Sequence, residues 1–331
     1  MADPRFRPAT VLLFDPEPSM RQSIRSALLN IGFGAVIAAG DEADFVRKLE
    51  EESFDLVLAE TASSKADTQH IIRDLRHSKV GQDPFVNVVL SIWNTGPEVV
   101  RDVINAGADD LILRPMSRAQ IFARLRHLVN ARKPFIVTAD YIGPDRRASI
   151  SKPSTAPTLI VPNSLRAKVE DMPELAATPE AIRLALNAVN ERKIAIYSEQ
   201  VMRLSSAVIL LSEMSGSTSE RKEVVTVMRT RNLALMEAVK GSRHEHILSL
   251  CEALDGLLIR LFVEKGPLSS KDQELVTQLP YAIHRGCQEL HGSAGLVFDI
   301  RDVAARLRET GAALPPASQR RGSQSRSLTV A

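Results

Sequence analysis

The stretch VLLFDPEPSMR, residues 11–21, is an apolar run that stops at Asp15 and turns, through two prolines, into a helical pattern. Three later stretches have the same form: LVLAE at 56–60, VVLS at 88–91 and LILR at 111–114. Segments with helical periodicity lie between them. In an alternating β/α chain the carboxyl ends of parallel strands share one edge of the sheet, and sites form in the crevice there. Asp15, Glu60, Ser91 and Arg114 would therefore converge as two acids, a hydroxyl and a cation.

Working outward, residues 9–133 read as five β/α repeats. Strands are expected at 10–14, 35–39, 55–59, 86–92 and 110–113, and helices at 19–31, 42–51, 67–77, 98–106 and 118–131. Met20, Ile24, Leu28 and Ile31 give the first helix one apolar face, and Gly32 and Gly34 end it. Phe45, Val46 and Leu49 do the same for the second helix, Ile71, Ile72 and Leu75 for the third, and Ile121, Leu125 and Leu128 for the last. Near-continuous Val/Leu runs mark strands covered on both faces, so the sheet is expected to be parallel and doubly wound.

Composition sets the outer limits. The chain has 331 residues, 44% hydrophobic and 25% charged, with a net charge of +2. This length suits two domains, and the charge balance gives no global signal for nucleic acid or membrane. Cys251 and Cys287 form neither a disulfide framework nor a metal-ligand spacing, which fits a cytoplasmic setting. Residues 1–10 do not read as a signal peptide, and no stretch is expected to span a membrane.

The residues at the strand ends carry a resemblance. VLLFDPEPSMR, DLVLAE at 55–60 and GADDLILRP at 107–115 resemble, in order and spacing, the receiver domain of two-component response regulators, over roughly residues 9–131. The resemblance implies a flavodoxin-like fold with five parallel strands. It implies a pair of metal-holding acids at Asp15 and Pro16, so one of the pair is missing, and Glu17 and Pro18 do not replace it. It places the phosphoacceptor at Glu60, the phosphoryl-contacting hydroxyl at Ser91 and the bridging lysine at Arg114. Pro115 follows, after a peptide bond that is often cis in the family, and Leu111 takes the aromatic switch position.

The departures change the chemistry. Mg²⁺ prefers octahedral oxygen coordination with one or two carboxylates, so Asp15 and Glu60 alone make a weak site, and no cofactor is expected. Glu60 carries its carboxylate about 1.5 Å further out than aspartate would, one carbon–carbon bond, which misplaces the nucleophile. Arg114 is expected to pair with Glu60 through two hydrogen bonds, a geometry suited to guanidinium. These features point to a pseudo-receiver that is not phosphorylated, either locked in an activated-like state or decayed to a structural Glu60–Arg114 ion pair with no switch. The opposing reading is a conventional regulator phosphorylated at Glu60.

Residues 134–177, rich in Pro and Ser, read as a linker. The GPDRR run at 143–147 is either a docking motif or a solvated turn, and the turn is the simpler reading. The apolar run 158–161 and a short helix from Leu165 suggest a segment that packs back on a domain. Residues 178–314 read as an antiparallel helical bundle, with helices near 182–211, 219–239, 244–264, 269–290 and 301–310, and with Pro280 kinking or interrupting the fourth. The tail 315–331 is expected to be disordered.

Around 288–295 the helical region weakly resembles a histidine-phosphotransfer motif, with Gln288 at the histidine position followed by His291, Gly292 and Ser293. A helix end at Gly292 accounts for the same residues. The bundle shows no phosphate loop, metal cluster or nucleophile motif, and no helix-turn-helix with a basic recognition helix, so neither an enzymatic nor a DNA-binding output is expected. The expected partners are proteins: a histidine kinase, a phosphotransfer protein, an output protein or, through the bundle, a second copy of the chain.

Overall fold

The computed structural model describes residues 2–63, 67–93, 95–147, 157–214, 218–264 and 266–288. The chain divides into two compact units, Met1–Arg192 and Lys193–Ala331.

The first unit is built on five strands: β1 (Thr10–Phe14), β2 (Ala35–Ala39), β3 (Leu56–Glu60), β4 (Asn87–Ile92) and β5 (Asp110–Leu113). All pair in parallel, in the order β2-β1-β3-β4-β5. This is the flavodoxin-like order. The connecting helices are α1 (Pro18–Ile31), α2 (Glu42–Glu51), α3 (Gln69–Arg76), α4 (Pro97–Asn105) and α5 (Arg118–Ala131). Alternate strand residues feed two cores. Val11, Leu13, Val89 and Ile112 pack with Ile24 and Leu28 of α1 and Ile121 and Leu125 of α5. Leu12, Phe14, Val57 and Leu90 pack with Phe45, Ile72 and Val103 of α2, α3 and α4. Both faces are dry, which explains why the strands read as continuous apolar runs.

Local signals place the helix ends. Asp41 caps α2 by accepting from the Asp44 N–H, and Ser117 with Gln120 forms a capping box on α5. Gly32 ends α1 at φ +135°, where a Cβ would stand 2.1 Å from the Asp3 carbonyl oxygen, so only glycine fits. Gly107 ends the turn after α4 at φ +90°, and a Cβ there would meet the Ile142 carbonyl oxygen at 2.6 Å.

That contact belongs to a segment the sequence assigns to a linker. Phe135–Val137 (β6) and Ile142–Pro144 (β7) form an antiparallel hairpin, and Phe135 bridges to Leu159. A helix follows, α6 (Ser164–Val169), whose Leu165 and Val169 join the α1/α5 core. The described parts of residues 134–177 are thus part of the first unit.

Arginines secure this extension at the amino-terminal edge of the sheet. The Arg76 guanidinium is fully buried and donates to Asp109 Oδ2 (2.8 Å) and to the carbonyls of Gly107, Pro84 and Val86. Arg132 donates to Asp109 (Nε to Oδ1, 2.8 Å) and to the Phe85 and Pro162 carbonyls. The Phe135 ring lies between the two, 5.1 Å and 5.0 Å from their guanidinium carbons. Lys168 Nζ donates to Asp55 Oδ2 at 2.8 Å, and Asn87 donates to the Asn163 side chain at 2.9 Å. The GPDRR run is neither a solvated turn nor a free docking motif: Arg146 donates to the carbonyls of Ala108 and Asp109, and Arg147 pairs with Asp145.

The second unit is helical. α7 (Pro179–Glu213) contains the division between units, and α8 (Thr218–Val239), α9 (Leu248–Val263) and α10 (Ser270–Gln288) follow. Met228, Leu235, Leu254, Leu258, Val276 and Ile283 are among its buried residues. Asn232 donates to the Cys251 carbonyl (2.8 Å), and Ser198 Oγ lies 3.2 Å from His284 Nδ1. Pro280 lies inside α10 without ending it. The sequence reading allows no membrane-length helix, whereas α7 is long and apolar enough to cross one, with a mean hydropathy of 1.3 over 18 residues. A core helix of a soluble protein meets the same criterion. His291, Gly292 and Ser293, the expected fifth helix and the tail all lie outside the described residues.

Candidate functional site

Parallel pairing fixes where the four polar residues meet. β1 ends at Phe14, so Asp15 leaves the sheet at its carboxyl edge. Glu60, at the end of β3, is in register with Ser91 of β4, and Arg114 follows β5 with its N–H donating to the Ile92 carbonyl. All four are buried: Asp15 1% exposed, Glu60 2%, Ser91 0% and Arg114 4%.

Arg114 does not pair with Glu60 as the sequence suggests. Its Nη2 donates to Asp15 Oδ2 at 2.7 Å, and its Nε and Nη2 donate to Ser91 Oγ at 3.0 and 2.9 Å. Ser91 Oγ in turn donates to the Ala59 carbonyl at 3.3 Å. The other Asp15 oxygen accepts from the Glu17 N–H at 2.9 Å. Strand geometry explains the choice. Ser91 Oγ takes Nε and Nη2 together while Asp15 takes the other Nη2 hydrogen, so the ion pair and the hydroxyl are satisfied together. The Arg114–Pro115 peptide bond is cis.

Glu60 is left with a weaker set of partners. Its Oε2 accepts from Ser63 Oγ at 3.0 Å, and its buried Oε1 has no hydrogen-bond partner. Burial pushes the carboxyl above the ordinary glutamate range; Ser63 and Arg114 oppose that shift and Asp15 adds to it. The donor set fits Mg²⁺ poorly. Pro16 brings no ligand, both Asp15 oxygens are engaged, and among the described residues no group of three His, Cys, Asp or Glu side chains could hold a metal ion.

These residues open onto a cavity of about 380 Å³ lined by Asp15, Glu17, Glu60 and Arg114. Its wall includes Pro16, Met20, Ser63 and Trp93. Trp93 is half exposed, with the Arg114 guanidinium carbon 5.6 Å from its ring centroid. Sequence reasoning passed over Trp93, although strand alternation places residue 93 on the same side as Ser91. It also missed Arg76, whose position four residues after Ile72 puts it on the inward face of α3. Leu111 is half-buried against the α2/α3/α4 core. Gln288, in the second unit, is exposed, with its Nε2 2.8 Å from His284 Nε2.

The matches to known proteins fall within the first unit. Residues 11–126 match the family model of the response regulator receiver domain. The chain is 25% identical over 120 residues to chemotaxis protein CheY of Bacillus subtilis (strain 168), covering 36% of this chain and 97% of the relative. Similar solved structures include Vibrio cholerae chemotaxis protein CheY4, 20% identical, covering 36% of this chain and 97% of that one with a TM-score of 0.33. A response regulator from Thermotoga maritima is 24% identical, covering 36% and 94%, with a TM-score of 0.32. The strand order, the four residues at the carboxyl edge and the family match coincide on one stretch: residues 11–126 are a response regulator receiver domain.

Proposed function

We propose that this protein is an adaptor of the response-regulator type whose receiver works without being phosphorylated, through contacts with other proteins. The observation that carries this reading is the closed set Asp15–Arg114–Ser91. The acid, the hydroxyl and the cation that would serve a phosphoryl group already satisfy one another in a buried network. Phosphoryl transfer depends on positioning and on neutralising charge at the transferred group. Here the guanidinium is held by Asp15, and the acceptor position holds a longer acid beside an Asp15 whose two oxygens are already engaged. Glu60 places a resident carboxylate near where a phosphoryl group would sit, so the receiver is locked in one state.

Receiver domains engage histidine kinases, phosphotransfer proteins and output proteins, and partners of these kinds are assigned to this chain, acting in the cytoplasm. The second unit is read as a docking or dimerisation module and not as an enzymatic output. The chain as tagged bait, with and without acetyl phosphate, tests the reading. The same partners should be captured under both conditions. A partner gained or lost only with the phosphodonor, and insensitive to it in Glu60→Gln, would favour the conventional regulator.

A further inference from the structure

β5 is the shorter of the two edge strands, four residues against five in β2, and it pairs with β4 alone. An edge strand lacks a second ladder of hydrogen bonds, so the groups gripping its two ends carry much of its positioning. The carboxyl end of β5 delivers Arg114 to the pocket. The Arg114 N–H donates to the Ile92 carbonyl at 2.8 Å, and the guanidinium holds Asp15 and Ser91. The amino end is gripped by residues that lie beyond the matched receiver stretch.

That grip comes from the GPDRR segment, residues 143–147. Arg146 Nη2 donates to the Ala108 carbonyl at 2.7 Å and to the Asp109 carbonyl at 2.8 Å. Asp109 is in turn fixed to β4: its N–H donates to the Val88 carbonyl and its Oδ2 accepts from the Val88 N–H, both at 2.8 Å. The rest of the segment keeps Arg146 in place. A Cβ on Gly143 would stand 2.9 Å from Gly107 Cα and 2.5 Å from the Tyr141 hydroxyl, so glycine lets the two chains touch. The Pro144 carbonyl accepts from that hydroxyl at 2.9 Å. Asp145 accepts from the Arg147 N–H at 2.9 Å and pairs with its guanidinium. Arg146 grips backbone carbonyls, so it sets where the chain enters β5.

We propose that GPDRR is a clasp on the turn before β5, with Arg146 as a positioning residue that holds Arg114 in the pocket through the length of the strand. Asp109 and Arg114 are separated by about 16 Å of extended chain at about 3.3 Å per residue, and a paired strand is a rigid element able to carry such coupling. A protein that drew the clasp off the turn would release Arg114 with no chemistry at Glu60. The inference is independent of whether Glu60 is phosphorylated.

Amide hydrogen exchange of the full chain, wild type against Arg146→Ala, tests the clasp. Losing two charge-assisted hydrogen bonds should lower protection at the Arg114 amide by about tenfold or more. Amides of β1 and β2, remote from the clasp, should change by less than about twofold. Arg146→Lys, which keeps a cation beside the same carbonyls, should restore part of the protection. A double-mutant cycle gives a second reading, with unfolding followed by Trp93, the chain's single tryptophan. Sites this far apart normally combine within about twofold in the unfolding constant. Arg146→Ala with Asp15→Ala should instead fall short of the product of the single effects by about fivefold or more, because releasing the clasp already loosens the Arg114 pair. Protection lost only at residues 107–110 and in the hairpin, an even loss across all five strands, or a cycle that is simply multiplicative would overturn the proposal.

Discussion

Phe135→Ala tests whether the extension after α5 is part of the receiver-bearing unit. Phe135 is 0% exposed, its ring lies between the guanidiniums of Arg76 and Arg132, and its edge meets Phe85 at a centroid distance of 6.1 Å. Truncating a buried Phe to Ala costs about 3–5 kcal/mol in lost transfer energy and residual cavity. The two cation–ring contacts add to this, since shielded examples are worth about 1–2 kcal/mol each. The hydrogen bonds of Arg76 and Arg132 to Asp109 and to backbone carbonyls remain in the variant, so the packing cost of about 4 kcal/mol serves as the lower bound of the loss. A loss of about 4 kcal/mol corresponds to a midpoint lowered by roughly 12 °C in a domain of this size. The assay is urea and thermal unfolding of the full chain followed by Trp93 fluorescence, which reports on the first unit alone. If residues 134–147 were a tether, the change would stay within about 0.5 kcal/mol, as for ordinary surface substitutions, and the packing account would be refuted.

Three further outcomes follow from the buried charges. Asp109→Ala leaves two buried guanidiniums without their carboxylate and should cost at least about 3–5 kcal/mol, read by the same urea titration. Asp15→Ala removes the partner of Arg114 and should destabilise the first unit by a similar order; a change under about 0.5 kcal/mol would show that the pair is not the organising contact of the pocket. Glu60 has a carboxyl raised by burial, so the folded state holds its proton to higher pH than the unfolded chain does. Its contribution is fully present below the ordinary glutamate range and is lost as pH rises through the raised folded value. Stability against pH should therefore fall across that window in the wild type and stay flatter in Glu60→Gln, and parallel curves would remove the buried-acid argument.

Much of the first unit was legible because its signals are local. Apolar runs bounded by Asp15, Glu60, Ser91 and Arg114 mark strands dry on both faces, and the expected helices at 42–51 and 118–131 coincide with α2 and α5. β3 begins one residue later than expected, at Leu56, because Asp55 accepts from the Thr10 N–H and hydroxyl and from Lys168. Those partners are distant in sequence. The same limit applies to the extension: its Pro and Ser content reads as a linker, while its anchors, Arg76, Asp109 and Arg132, lie up to 68 positions from Pro144 and signal nothing in isolation. At the pocket, residue types predicted a carboxylate partner for Arg114, but two carboxylates were available. Only strand placement decides for Asp15 and leaves Glu60 Oε1 without a donor.

The most direct test of the central claim is the intact mass of the full chain after incubation with acetyl phosphate and Mg²⁺. The closed Asp15–Arg114–Ser91 set predicts an unchanged mass for the wild type and for Glu60→Gln alike. One acid-labile phosphoryl group per chain in the wild type, absent from Glu60→Gln, would contradict it.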